Sequence, residues 1–373
     1  MPGRQTSLCG TSALRIWPLV PPNGSARFFS GDHNAIWKAF MKHWTEPNGI
    51  LLIQIPIDWQ YLNIGLSEYE ERSPYGFQPY EDPIGCFQLS CYPLSELAPS
   101  IAKANPNGVR KLRWKESRED DSDFCAHLFF GAYHDQALIG KYIYAAGLKG
   151  DRRITEQLAI VSQILNSVVV VPEGDRKLAA DLDKFDRFTG SLAASHDLLY
   201  SAIDAGACIE IIAITANQID AYLRLSLVIV KQLEEQTDDI ETRYLFQADG
   251  EKGILERKVF EDALKFKVID LEAFDSLNEL YNLRNRVIHR YIISDITSRD
   301  LTKIAGRYLS ALEKTRLTLR DFEQKQAVVP FGLYGTKFGK TFITDDAIRR
   351  LHASANDKHL LEKYNRSVSD KKN

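Results

Sequence analysis

Residues 208–234 carry the feature that most constrains the fold, an unbroken apolar stripe with intervals of three and four residues. The stripe consists of Ile209, Ile212, Ala216, Ile219, Leu223, Leu227 and Val230. This spacing places all of these side chains on one face of a single long α-helix. Such a helix must bury its apolar face, so the neighbouring sequence is expected to supply helical partners.

Three further helices with one apolar face each are predicted after this stripe. They cover residues 252–266, 271–291 and 297–326, and Thr297 is the expected N-cap of the last one. Four such helices predict an antiparallel bundle over residues 190–327. The remaining sequence, 328–373, is expected to be a C-terminal tail with a short helix near 345–352.

The first half of the chain has a different pattern. Residues 1–44 are expected to form an irregular segment with one short helix at its end, over 35–44. Residues 45–175 predict an α+β domain of unknown role, because short β-branched and alternating runs dominate and one amphipathic helix is predicted. The strands are expected at 50–57, 86–92, 111–115 and 125–133, and the helix at 154–166. Residues 139–146 predict either another short strand or the start of a helix, and residues 167–171 predict a final strand or an extended exit.

Three polar segments of this half are predicted to be irregular. They are a loop at 73–83, an acidic turn at 119–123 and a linker at 172–190. The expected fold class is therefore an α+β N-terminal domain followed by an all-α antiparallel helical bundle.

Composition and charge argue against a disulfide-rich, a secreted or a membrane-spanning protein. The chain has 373 residues, a formal net charge of -3 and five cysteines without a regular spacing. Scattered cysteines in an odd number favour a reducing compartment over a disulfide scaffold. No apolar run has the length needed to span a bilayer, and the N-terminus lacks the apolar core of a secretory signal. We expect a cytoplasmic protein without a membrane partner.

The end of the third predicted bundle helix carries an unusual cluster of charge. Residues 284–291 read R-N-R-V-I-H-R-Y and contain the pattern R-N-x-x-x-H-x-Y, formed by Arg284, Asn285, His289 and Tyr291. Residues 282–325 contain ten Lys and Arg but five Asp and Glu, which predicts a local basic surface. For the last helix alone, a solvated face with ion pairs explains the same charges.

This pattern resembles the signature of the HEPN-domain ribonucleases, and the predicted bundle extends the resemblance over residues 194–326. The resemblance implies a metal-independent endoribonuclease without cofactors, whose bundles pair as a homodimer. Motifs from two protomers then build one composite site. The implied products are a 2′,3′-cyclic phosphate and a 5′-hydroxyl end.

The resemblance also implies a role for each motif residue. His289 is the expected general base or acid, since an imidazole titrates near the operating pH. Arg284 is expected to stabilise the charge that develops on the scissile phosphate. Asn285 would orient the motif or contact the phosphate, and Tyr291 would flank the site. In toxin-type members, a tyrosine at this place is where a partner nucleotidyltransferase attaches nucleotides.

Three further residues are candidates for supporting roles. Arg286 and Arg290 are expected to bind RNA phosphates, since arginine pairs with phosphate oxygens in a fixed geometry. Asp220 on the first long helix is the candidate for an acidic residue near the site. An ion pair between Asp220 and Arg224, four residues later, is an equally suitable interpretation.

Helical geometry bears on how the motif would work. Five residues separate Arg284 from His289, which corresponds to about 140° around a helix axis. One helix alone does not aim both side chains at a single point, and a site shared between two protomers removes this difficulty.

Two functions remain open at this stage. The first is a toxin or antiphage-defence ribonuclease, with the N-terminal domain as sensor or regulator and with an antitoxin or regulatory protein as partner. The alternative is a non-catalytic HEPN-like dimerisation or RNA-binding scaffold within a larger complex. In that case His289 and the arginines would pair locally with acidic neighbours.

Two other patterns have simpler explanations. Residues 335–341 resemble a phosphate-binding loop, but the glycine spacing is short by one residue and too little sequence follows for a nucleotide-binding sheet. Cys86, Cys91, Cys125 and His127 have side chains able to bind zinc. Paired strands that bury these side chains explain the same residues.

Overall fold

The computed structural model of the protein describes residues 41–62, 74–96, 112–133, 135–247 and 250–336. The described residues form two compact units, a sheet unit of residues 41–190 and a helical unit of residues 191–247 and 252–336. A sheet-rich region at 41–145 therefore precedes a mostly helical region at 152–326, as the sequence predicts at this level. Residues 35–40 of the predicted helix at 35–44, and the whole of the predicted helix at 345–352, lie outside the described residues.

The sheet unit contains nine strands in two antiparallel sheets. The strands are β1 (Met41–Thr45), β2 (Leu51–Pro56), β3 (Trp59–Tyr61), β4 (Tyr75–Pro79), β5 (Gly85–Pro93), β6 (Lys115–Asp120), β7 (Phe124–Tyr133), β8 (Gln136–Ala145) and β9 (Val169–Val170). The strand order is β1-β2-β9 in the small sheet and β3-β4-β5-β8-β7-β6 in the large one. Antiparallel neighbours need only short connections, which agrees with the closely spaced strands of this half.

One helix completes the core of the sheet unit. Helix α1 (Arg152–Asn166) packs against β2, β5 and β8, and the Asp151 side chain caps it by accepting a 2.8 Å hydrogen bond from the backbone N–H of Arg153. Its fully buried side chains include Val161 and Ile164. The predicted helix at 154–166 is confirmed, because an amphipathic stripe of this length is a strong local signal.

Three predictions for this half are wrong. Residues 41–44 belong to strand β1 and not to a helix, and the predicted loop at 73–83 contains strand β4. Strand β6 includes residues 119 and 120 of the predicted acidic turn at 119–123. It does not include residues 112–114 of the predicted strand at 111–115. These strands pair with their neighbours in the sequence, β1 with β2, β4 with β3 and β5, and β6 with β7, and this pairing overrides the local propensity.

Aromatic packing explains two of these corrections. The ring centre of Trp44 lies 5.1 Å from the ring centres of Tyr75 and of Phe77. Burial of these three rings stabilises β1 and β4 as strands, although the sequence around β4 is rich in Pro and Gly. Strand β6 is instead the outer strand of the large sheet, where exposed charged side chains are common.

Five helices follow. They are α2 (Arg176–Asp204), α3 (Cys208–Glu235), α4 (Glu256–Lys265), α5 (Leu271–Arg290) and α6 (Ser298–Gln326). The predicted polar linker at 172–190 is wrong, because α2 begins at Arg176. Ion pairs one turn apart, such as Lys177–Asp181 at 2.8 Å and Arg187–Asp183 at 2.8 Å, satisfy the charges of this polar sequence within a helix. Residues 191–204 of α2 belong to the helical unit.

Helix α3 is the centre of the helical unit, as its apolar stripe predicts. It packs most extensively on α6 and also contacts α4 and α5. Helices α3 and α6 run parallel, because Cys208 meets Thr302 near their starts and Gln232 meets Gln326 near their ends, so the predicted antiparallel arrangement is wrong for this pair. Helix α6 begins with the predicted cap. The Thr297 hydroxyl accepts from the Asp300 backbone N–H at 3.3 Å, and the Asp300 carboxylate accepts from the Thr297 backbone N–H at 3.0 Å.

Two buried glutamines join the C-terminal ends of α3 and α6. The Nε2 atom of Gln326 donates to Oε1 of Gln232 at 3.0 Å. The Tyr334 backbone N–H donates to Oε1 of Gln326 at 2.8 Å, and the Leu333 N–H donates to Oε1 of Gln232 at 3.2 Å. This glutamine pair, Gln232 and Gln326, therefore holds the segment after α6 against the bundle.

A helix that crosses a membrane must be both long and apolar. Within the described ranges, no helix is both long enough and apolar enough to cross a bilayer.

Candidate functional site

The motif lies at the C-terminal end of helix α5. The Asp270 side chain caps the other end by accepting from the Ala273 backbone N–H at 2.8 Å, and Leu277, Leu280 and Val287 are buried along the helix. The helix is thus anchored by its apolar side while its last turn leads into a short 3-10 turn, Tyr291–Ile293. The motif residues that do not lie on the buried face of α5 make polar contacts or face solvent.

Arg284 is held by Glu256, Asn285 and Tyr281. Its Nη1 atom donates to Oε2 of Glu256, at the start of α4, at 2.5 Å. Its Nη2 atom donates to Oδ1 of Asn285 at 3.2 Å, and its guanidinium lies 4.7 Å from the ring centre of Tyr281. The side chains of Arg284 and Glu256 are each 18% exposed. The guanidinium is therefore fixed in direction, and the side chain that carries it is mostly buried.

Asp220 and Arg224 form the predicted ion pair on α3. The Nε atom of Arg224 donates to Oδ2 of Asp220 at 2.6 Å, and its Nη2 atom donates to the carbonyl of Ile254 at 2.7 Å, just before α4. The other carboxylate oxygen of Asp220 is buried and has no hydrogen-bond partner among the described residues.

Asp220, Arg224, Glu256 and Arg284 constitute what we call the polar cluster, which links α3, α4 and α5. Burial raises the pKa of Asp220, and the positive charges of Arg224 and Arg284 oppose this effect. Burial likewise raises the pKa of Glu256, against the opposing effect of Arg284. Asp220 is therefore close enough to Arg284 for the charge of Arg284 to affect its pKa. Asp220 thus forms the ion pair with Arg224 and also lies near the motif, so both interpretations of this residue hold together.

His289 has a different environment from Arg284. Its side chain is exposed, and no hydrogen bond or ion pair joins it to any residue that the structure describes. Arg286 and Arg290 are exposed in the same way and are equally without partners in the described part of the chain. The last turn of α5 therefore presents one imidazole and two guanidiniums to solvent, which suits contact with an anionic ligand.

Three exposed isoleucines lie close to these basic residues in the sequence. Ile292 is 95% exposed, Ile293 is 82% exposed and Ile288 is 43% exposed. We call these three residues the isoleucine patch. Tyr291 is partly buried, and its carbonyl accepts from the Ser294 hydroxyl at 3.3 Å. Neighbouring exposed apolar side chains of this size are typical of contact surfaces.

Arg284 and His289 stand on one regular helix, which fixes their separation. Five residues correspond to roughly 7.5 Å along the axis and about 140° around it. In keeping with this angle, Arg284 turns towards α4 while His289 is exposed. A single α5 helix does not bring both side chains to one phosphate.

Two residues near the motif escape prediction from the sequence. Glu256 holds Arg284, and Tyr281 contacts both Arg284 and Arg257, whose guanidiniums each lie 4.7 Å from its ring centre. Glu256 is 28 residues from Arg284 in the sequence, so local spacing gives no signal for their contact. Tyr281 is three residues before Arg284, and the i, i+3 spacing is the available signal.

The cysteines of the sheet unit lie in paired strands. Cys86 and Cys91 are five residues apart on β5, which places their side chains on opposite faces. Burial raises the pKa of the Cys86 thiol, and it raises the pKa of Cys91 to about 12. Cys125 is buried on β7, and Nδ1 of His127 lies 3.0 Å from Oε1 of Glu116. Among the described residues, no three His, Cys, Asp or Glu side chains are grouped as metal ligands.

Comparison with known proteins gives little further guidance. No protein-family model and no curated protein matches the chain. A crystal structure from Bacteroides thetaiotaomicron VPI-5482, at 1.50 Å resolution, aligns with 48% of this chain and 76% of its own chain. The sequence identity is 13% and the TM-score is 0.26, which is too low to support a conclusion about fold or function. Function must be inferred from the site.

Proposed function

We propose that the protein is a metal-independent endoribonuclease whose active site lies at the C-terminal end of α5. RNA is the substrate, and two helical units pair as a HEPN-like homodimer to complete the site. The biological role we propose is that of a toxin or antiphage-defence effector in the cytoplasm. The N-terminal region would act as sensor or regulator, and an antitoxin or regulatory protein would control the activity.

One observation carries this proposal: among the described residues His289 is exposed and without a partner, while Arg284, on the same helix, is held in a polar cluster. A histidine that serves only packing or helix capping is expected to have a protein partner. An exposed imidazole without a protein partner keeps both ring nitrogens available to a substrate. A fixed arginine is suited to stabilise a developing negative charge without reorganisation.

The proposed reaction is an attack of the ribose 2′-oxygen on the adjacent phosphorus. The His289 imidazole takes the proton of the 2′-hydroxyl as the new bond forms. The bond from phosphorus to the 5′-oxygen breaks, and that oxygen leaves with a proton from an acid, for which the histidine of the second protomer is the candidate. Arg284 stabilises the phosphorane charge, Asn285 orients Arg284, and Arg286 and Arg290 bind flanking phosphates. The products are a 2′,3′-cyclic phosphate and a 5′-hydroxyl.

Two observations favour the alternative, a non-catalytic scaffold for dimerisation or RNA binding. The ion pair between Arg284 and Glu256 is also what an arginine with a purely structural role would form. The isoleucine patch next to His289 is suited to contact another protein without any chemistry.

RNA cleavage by purified protein separates these functions. Wild type, His289→Ala, Arg284→Ala and Arg152→Ala are incubated with RNA in EDTA, and the product ends are mapped. Arg152 is a matched control, because its side chain is 90% exposed and lies in the sheet unit. We expect 2′,3′-cyclic phosphate ends from wild type and Arg152→Ala, with reductions of about 100-fold or more in the other two. Equal cleavage by all four proteins, or dependence on a metal ion, would contradict the proposal.

A further inference from the structure

We propose that Glu256 is a positioning residue, which fixes the guanidinium of Arg284 for contact with the scissile phosphate. This inference rests on the proposed function and adds a residue on α4 to a site otherwise located on α5. It follows from the surroundings of Arg284 and not from the motif itself.

The surroundings of Arg284 order its side chain before any ligand binds. Glu256 accepts from Nη1 at 2.5 Å, Asn285 accepts from Nη2 at 3.2 Å, and Tyr281 lies against the guanidinium. A free arginine loses considerable rotamer entropy when it binds a ligand. Because Arg284 is already ordered, that entropy cost does not oppose phosphate binding.

The guanidinium of Arg284 also keeps donors for a phosphate. A guanidinium has five N–H groups, of which Glu256 and Asn285 each use one, so about three remain. The Arg284 side chain as a whole keeps 18% of its surface exposed. A phosphate can therefore bind Arg284 without displacing Glu256.

Glu256 is itself anchored. It is the first residue of α4, where the positive end of the helix dipole favours a carboxylate. Arg224 holds the chain just before α4 through the carbonyl of Ile254 at 2.7 Å. The backbone that presents Glu256 is thus tied to α3, and a rigid support is what positioning of a catalytic arginine requires.

The opposite role is that of an inhibitory counter-ion, which would occupy Arg284 and compete with the phosphate. The two roles predict opposite effects of removing the carboxylate. Removal of a positioning residue lowers kcat, whereas removal of a competing anion strengthens RNA binding and raises the rate.

The test compares the full-length wild type with Glu256→Met, Glu256→Gln and Glu279→Ala. Glu256→Met keeps the side-chain length and removes the acceptor, while Glu256→Gln keeps an acceptor oxygen and removes the charge. Glu279→Ala is the matched control, since Glu279 lies on α5 and pairs with Arg307 of α6 at 2.7 Å, away from Arg284. Circular dichroism checks folding, and Glu256→Asp, which retracts the carboxylate, replaces Glu256→Met should that variant unfold.

Two measurements are made on each protein. One is kcat and KM for RNA cleavage, and the other is the Nε–H signal of Arg284 in nitrogen-15 NMR spectra. We expect kcat to fall roughly 10- to 100-fold in Glu256→Met with little change in KM, because a small displacement of a catalytic group has this effect. Glu256→Gln should remain within about threefold of wild type, and Glu279→Ala should be unchanged. The Arg284 signal should broaden in Glu256→Met alone.

Each contrary result has a distinct meaning. Cleavage by Glu256→Met at the wild-type rate or faster, or an unchanged Arg284 signal in that variant, overturns the positioning role and leaves the ribonuclease function standing. If wild type itself cleaves no RNA while its Arg284 signal is as sharp as expected, the proposed function is overturned, and the positioning role with it.

Discussion

Nη1 of Arg284 and Oε2 of Glu256 meet at 2.5 Å across two helices, with both side chains 18% exposed. An ion pair that is mostly buried is more costly to break than a surface pair, because the remaining charge has given up part of its solvation. The surface pair between Glu279 and Arg307, at 60% and 42% exposure, provides the contrast on the same helix. The motif therefore combines a fixed arginine with a histidine that no described residue binds.

Arg286 and Arg290 are expected to contribute to RNA affinity by binding phosphates. Replacing either one by alanine should weaken binding of a single-stranded RNA several-fold. It should also reduce the dependence of log affinity on log salt by about 0.7 for each phosphate that the variant no longer binds. Filter binding at several salt concentrations measures both effects. Arg152→Ala is the control, and an unchanged salt slope in both motif variants would exclude phosphate binding at these positions.

The isoleucine patch is expected to lie in the homodimer interface. Changing Ile292 and Ile293 together to serine should alter the free energy of unfolding of the isolated protomer by no more than about 0.5 kcal/mol per residue, because both are exposed in it. Sedimentation velocity should show a shift from dimer to monomer. Val328→Ser, at a residue that is 79% exposed, is the control. A variant that remains dimeric would place the interface elsewhere.

His196 is expected to make the helical unit less stable in acid. Burial lowers the pKa of His196 to about 4, and its Nε2 atom lies 3.0 Å from the Tyr222 hydroxyl. The unfolded chain binds a proton near pH 6.5 but the folded chain does not, so stability falls as the pH falls below about 6.5. From pH 7 to pH 5 this group should remove about 2 kcal/mol.

Urea unfolding at pH 7 and pH 5 measures this effect of His196. In His196→Gln the difference between the two pH values should shrink by about the same amount, since glutamine does not titrate. An equal pH dependence in both proteins would show that other groups are responsible.

Thr297 is expected to stabilise the start of α6. Thr297→Ala removes the capping hydroxyl and should lower the free energy of unfolding by about 1 kcal/mol. Thr318→Ala, within the same helix, should have little effect, because that hydroxyl only bonds the carbonyl of Lys314 one turn earlier. Urea unfolding of the two variants should therefore give clearly different midpoints, and identical midpoints would show that the cap is unimportant.

Gly49 is expected to tolerate no side chain. Its φ is +75°, and an added Cβ would lie 1.9 Å from the carbonyl oxygen of Arg176. Gly49→Ala should cost about 2–5 kcal/mol from the left-handed conformation and the steric overlap together. Gly147→Ala is the control, because no atom lies within 4 Å of its added Cβ. Thermal unfolding that leaves the two variants equally stable would contradict this account.

The helices of the bundle can be predicted from the sequence because their signal is local. The apolar stripe at 208–234 lies on α3, Cys208–Glu235, and Thr297 caps α6 as expected. The misassigned strands β1 and β4 pair with their neighbours in the sequence, β2 and β5, yet local sequence predicts a helix at β1 and a loop at β4. Local propensity is a weak guide where strand pairing and side-chain packing decide.

For the site as well, local sequence predicts some features and not others. The motif predicts which residues of α5 to consider, and the i, i+4 spacing predicts the ion pair between Asp220 and Arg224. Neither indicates that Glu256 pairs with Arg284, because nothing in the sequence tells which face of α4 meets α5. The exposure of His289 likewise depends on how the whole helix packs, which only the folded chain determines.

The glutamine pair has a practical consequence for handling the protein. Gln326 is the last residue of α6, a helix of 29 residues and roughly 43 Å in length, whereas the turn from α5 to α6 lies at its first residue. The segment held by Gln232 and Gln326 is therefore about a full helix length from His289. A biosensor surface or fluorescent label attached next to that segment would leave the motif end of the bundle open to RNA and to a second protomer.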